Sequence, residues 1–147
     1  TEMETENIGQ WYLPMISLQQ LAASMAVEKV TEEQILQLKE KGEVFSRLVE
    51  SRGEPMELLQ ADRDFHEYIL EIAGNDYIID FCNTLWTHIL RLEYRFFKET
   101  ATLEESVADH QELIKDLEIR DSFTISMITK RHWERTAMEI EFLNRLG

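Results

Sequence analysis

Helix-breaking residues are scarce. The 147-residue chain has five Gly and two Pro, too few for a sheet built on frequent turns, so its long stretches of Leu, Glu, Ile, Gln and Lys favour helix. A single cysteine, Cys82, excludes an internal disulfide and any C-x-x-C site, and it reads as a buried, inert thiol on an apolar helix face. No run approaches the ~20 apolar residues of a membrane span and no basic-then-apolar leader opens the chain, so a cytoplasmic location is expected. Positive charge is also in short supply. Lys and Arg total 15 against 29 Asp and Glu, giving a formal charge of -14, and a field of that sign repels phosphate, so this chain is not expected to hold DNA itself.

Hydrophobic residues make up 44% and charged residues 30%, the balance of a soluble globular domain large enough to bury a core. Residues 1–8 are polar and acidic and read as a linker or lead-in. Residues 9–147 read as one helical domain, and the opening Thr1 suggests a piece of a longer protein. Apolar periodicity predicts helices from about Gln10 to Val30 and from Thr31 through Leu48, the second opened by the capping-box pattern Thr31-Glu32-Glu33-Gln34. Pro14 is tolerable only near the first turn of its helix. A third helix opens at Pro55 and stops at Gly74-Asn75; a fourth runs from about Asp76 to Lys98, a fifth from Leu103 to Ile119, and a sixth from Ser122 to Leu146 with Asp121 as N-cap. The expected fold is all-α, an antiparallel bundle of six to seven helices. The fourth helix is apolar on more than one side, which suits a central helix or a homodimer contact.

Three of these helices carry polar residues within their apolar stripes. The third reads Leu59, Asp62, His66, Ile69, Ala73, which puts Asp62 and His66 one turn apart on one face. The fifth reads Leu103, Val107, His110, Leu113, Leu117, and the sixth Ile125, Ile128, His132, Thr136, Ile140. Unpartnered burial of such groups costs a few kcal/mol each, and a shared divalent cation would satisfy them together. The alternative, at each position taken singly, is a core histidine hydrogen-bonded to a neighbour or a backbone carbonyl. On the fourth helix Thr84, His88, Arg91 and Arg95 form a polar stripe, read either as a solvated strip or as a pocket wall that holds an anion.

The segment Asp62-Arg63-Asp64-Phe65-His66, followed by Ile69 and Ala73-Gly74-Asn75, resembles the signature of the FadR C-terminal domain (FCD) of GntR-type transcription regulators. Asp109-His110-Gln111-Glu112-Leu113-Ile114 is similar to the family's E-H-x-x-[IL] segment with Asp in place of Glu, and His132 falls where the last helix supplies a final histidine. Leu21-Ala22-Ala23, Thr31-Glu32-Glu33 and Leu38 are similar to the stretch near the family's start. The resemblance implies that Asp62, His66, His110 and His132 hold a divalent ion. Three imidazoles and a carboxylate suit Zn, Ni, Mn or Fe, with Zn or Ni favoured, and leave room for water or a carboxylate ligand. It also implies a homodimer, and a winged helix-turn-helix domain that would make the DNA contact and that nothing in this chain matches. In the first helix Met15 stands where many members carry Arg. Attention therefore shifts to Arg91 and Arg95, with His88 and Thr84, as anchors for a small organic acid.

The expected function is effector sensing, with no chemistry required. Rival readings are a metal-dependent helical enzyme and an acidic adaptor with a structural ion. Against the enzyme, no H-E-x-x-H occurs and no glutamate sits three residues before any histidine.

Overall fold

In the computed structural model, which describes residues 2–100 and 103–146 with side chains from residue 8 onward, six helices follow one another with no strand among the described residues. They are α1 (Glu2–Lys29), α2 (Glu32–Glu50), α3 (Pro55–Ala73), α4 (Asp76–Glu99), α5 (Leu103–Glu118) and α6 (Ser122–Leu146). The all-α bundle read from the sequence is the fold of the protein.

The boundaries follow from local chemistry. Thr31 Oγ1 accepts from Gln34 N at 3.1 Å while Gln34 Oε1 accepts from Thr31 N at 2.9 Å, which satisfies two amides at the start of α2 reciprocally. Gly74 closes α3 at φ 72°, a left-handed conformation that costs glycine little. Asn75 Oδ1 then accepts from Tyr77 N and Ile78 N to open α4, and Asp121 Oδ1 accepts from Thr124 N at 3.0 Å to open α6.

One boundary differs from expectation. α1 starts at Glu2, so most of the predicted lead-in of residues 1–8 is helical, while Thr1 lies outside the described residues. The physical reason is an apolar stripe that reaches further upstream than Trp11: Ile8, Tyr12 and Met15 bury their side chains in the main core. Pro14 therefore sits deep inside α1 instead of in its first turn. Its missing N–H and ring clash cost about 3 kcal/mol in an isolated helix, and burial of Tyr12 and Met15 offsets that.

α1 lies along α6 and also touches α3 and α4, α2 packs on α3 and α5, and α5 packs on α6. The apolar interior falls into two clusters. One gathers Phe45, Trp86, Phe96 and Trp133; the other gathers Phe65, Ile69, Leu113, Leu117 and Ile125. Cys82 is fully buried, as expected, and burial pushes its thiol up to about 12.

Candidate metal centre

The functional candidates sit where the two clusters meet. α3 supplies Asp62 and His66, α5 supplies His110 and α6 supplies His132, all buried. One donor atom from each lies within 4.8 Å of the others. His110 Nε2 is 2.9 Å from Asp62 Oδ1, and His66 Nε2 is 3.3 Å from the same oxygen without making a hydrogen bond. Two donors bonded to one ion at ~2.1 Å lie at most ~4.2 Å apart, so side-chain rotations of about half an ångström would bring the whole set into range. The buried His66 Nε2 without a partner and the mixed imidazole–carboxylate chemistry both fit a divalent ion.

Neighbouring side chains fix the rings. The phenyl ring of Phe65 stacks on His110 at 3.9 Å and 12°, and the Phe45 ring lies 4.8 Å from it. Asp109 Oδ2 lies 2.9 Å from His132 Nδ1, which leaves Nε2 of that ring for the donor set. Asp109 is itself held by Arg131 Nη2 at 2.8 Å and by Arg135. A carboxylate on the far nitrogen of a ligating imidazole orients the ring and raises its basicity.

The electrostatics agree with a cation-seeking site. Burial alone would raise the pKa of Asp62, but His66 and His110 reverse this and hold it well below the usual carboxylate range. Burial pushes His110 down to about 4 against the pull of Asp62, and it lowers His132 as well, so these two rings are neutral and each keeps one nitrogen lone pair.

The α4 stripe is placed elsewhere. Thr84, His88 and Arg91 are exposed, His88 stacks on Trp11 at 5.5 Å, and Thr84 donates to the Asp80 carbonyl. Arg95 is committed to the end of α6, donating to the Leu143 carbonyl at 2.7 Å and to Asn144 Oδ1 at 3.0 Å. These four do not reach the donor set, because α4 turns its opposite face, with Trp86, Ile89, Leu92 and Phe96, to the interior. That face carries a polar residue the sequence reading missed, Glu93. Burial, with Asp62 nearby, pushes its carboxyl up to about 8. Asp109, Phe65 and Phe45 were also passed over as parts of a site. A signal existed for Glu93: it interrupts the apolar face as the histidines interrupt theirs.

A cavity of about 340 Å³ between α2 and α5 reaches His110 past Lys39, Gly42 and Gln111. A larger groove of about 730 Å³ runs along the outside of α6, and the arginines that hold Asp109 stand in its wall. The smaller cavity touches the donor set at His110, whereas the larger touches only the arginines behind Asp109.

Fold and site together define a helical bundle built around a buried carboxylate and three imidazoles from three helices. The family model of the FCD domain matches residues 15–135, and the chain belongs to that family, as the sequence resemblance implied. Among solved structures, E. coli McbR/YncC shares the fold with a TM-score of 0.82 at 16% identity, over 95% of this chain and 68% of that one. No curated protein matches the chain.

Proposed function

We propose that the chain is the effector-sensing, metal-holding domain of a GntR-type transcription regulator. Asp62, His66, His110 and His132 hold one divalent ion, Zn or Ni in preference to Mn or Fe, because three imidazoles with one carboxylate form a borderline donor set. The observation that supports this reading is the convergence of four buried donors within 4.8 Å, backed by Asp109 behind His132. The effector is a small carboxylate that completes the coordination of the ion. The arginine anchors expected on α4 are not carried into this reading, since Thr84, His88 and Arg91 are exposed on the far face and Arg95 is tied to α6.

Binding rather than turnover is the proposed role. The domain forms a homodimer in the cytoplasm, and the effector shifts the arrangement of winged helix-turn-helix domains that lie outside this chain. A coupling of about 1–3 kcal/mol is enough for such control. The test is a thermal-shift screen of small organic acids against zinc-loaded and chelator-stripped protein. At saturating acid the loaded protein is expected to gain on the order of 3 kcal/mol, read as a rise in Tm, with no change in the stripped protein. An acid that stabilises both equally would sink the metal-anchored mechanism. Consumption of that acid by the loaded protein would favour the metal-dependent enzyme instead.

A further inference from the structure

α4 turns a carboxylate into the interior beside the metal centre. Glu93 is 4% exposed, lies seven residues after the buried Trp86 and so on the same face, and stands close enough to Asp62 and Tyr12 to act on both electrostatically. Two more polar groups belong to this region. Tyr12 Oη and Trp133 Nε1 are buried without a hydrogen-bond partner, on residues that are each 2% exposed. Ring contacts join them to the donor set: Trp133 is 5.3 Å from His66, and both Tyr12 and Trp86 are 6.3 Å from Trp133. A phenol from α1, a carboxylate from α4 and an indole N–H from α6 thus lie beside Asp62 and His66, with Trp133 making the contact to His66.

Buried polar groups without partners are costly, and a second buried carboxylate near Asp62 is costlier unless a cation faces it. Arg63 is the cation nearby. Its guanidinium lies over the Trp86 ring at 4.8 Å and donates to Glu67, so it tempers Glu93 without pairing with it. The ion of the metal centre would take Asp62 and leave Glu93 facing whatever binds next to it.

We propose that Glu93, Tyr12 and Trp133 form a subsite beside the metal centre that selects an acid carrying an ammonium group, so that the effector class is an α-amino acid and not a plain carboxylate. This rests on the reading of the centre as a metal-holding effector site. The carboxylate of the ligand meets the ion and accepts from Trp133 Nε1; its ammonium donates to Glu93 and to Tyr12 Oη. Adjacent carbons carry the two charges in an α-amino acid, which matches a cation and a carboxylate lodged side by side.

The test is calorimetry on zinc-loaded wild type, Glu93→Gln and Tyr12→Phe, with zinc content measured in each. The probes are matched triads of 2-amino, 2-hydroxy and unsubstituted acids carrying methyl, isobutyl or benzyl side chains. In at least one triad the amino member is expected to bind about tenfold or more tighter than its partners, as the loss of a charged hydrogen bond implies. Glu93→Gln should abolish that preference while keeping one zinc per chain, and Tyr12→Phe should weaken the amino member alone. Equal affinities within every triad, a hydroxy or unsubstituted member preferred, or a preference that survives in Glu93→Gln would overturn the subsite and leave the metal-anchored reading intact. Zinc-loaded protein that binds no acid at all would overturn both.

Discussion

Asp109 shapes the metal centre without belonging to the donor set. Its two oxygens accept from His132 Nδ1, Arg131 and Arg135, and although burial opposes it, these partners hold its carboxyl well below the usual range. Asp109→Asn keeps the shape and gives up the charge that makes His132 a better ligand. Zinc affinity is expected to fall about 10–100-fold, measured by competition with a chromophoric chelator; an unchanged affinity would mean that His132 needs no orienting partner. The pH response of chelator-stripped protein follows from two buried groups with opposite signs. His110 is depressed from an ordinary 6.5 to about 4, so the stability it contributes is complete above 6.5 and is lost as pH falls toward 4. Glu93 is raised from 4.5 to about 8, so its contribution is present below 4.5 and is lost as pH rises through 8. Between pH 4.5 and 6.5 the two slopes oppose each other, so the unfolding temperature should fall as pH rises from 6.5 to 8, and Glu93→Gln should remove that alkaline fall and uncover the loss due to His110 below pH 6.5. An alkaline limb unchanged by that substitution would contradict the burial of an ionisable Glu93. The donor set was legible because imidazoles and an aspartate break apolar 3–4 stripes on three helices. Glu93 breaks a fourth stripe, but Arg91 and Arg95 on either side of it in sequence made the exposed face look like the polar one.

The helices themselves were mostly written into caps. Thr31, Pro55, Gly74, Asn75 and Asp121 mark boundaries by side-chain chemistry that acts over three or four residues, so α2 to α6 fall where the sequence places them. α1 escaped because its upstream end is held by tertiary burial of Ile8, and packing of that kind has no local signature. α4 was read as apolar on several sides. It buries Trp86, Ile89 and Phe96 yet leaves Tyr77 and Phe81 exposed on one flank of that face and Leu90 and Tyr94 on the other, and the flank with Phe81 is proposed for the homodimer. A rival row, Phe123, Met127, Met138 and Phe142, is exposed on α6. Sedimentation of Phe81→Glu at tens of micromolar should show a shift toward monomer, with Met138→Glu unaffected. If Met138→Glu alone dissociates the dimer, the contact belongs to α6 and the assignment to α4 fails.

Over the whole molecule, an acidic chain encloses four buried donors that could hold a cation. The formal charge of -14 concentrates divalent ions near the surface, while an enclosed ion would still attract an acid, because distant carboxylates are screened within about 10 Å. Everything proposed for the function passes through the ion: the effector meets it, Asp109 supports it, and Glu93 reads what binds beside it. Elemental analysis after zinc saturation and desalting tests that claim most directly. Close to one ion per chain is expected in the wild type and none in the His66→Ala, His110→Ala double variant, with circular dichroism confirming that the variant stays helical. Full retention of zinc by the folded double variant, or no stoichiometric ion in the wild type, would contradict it.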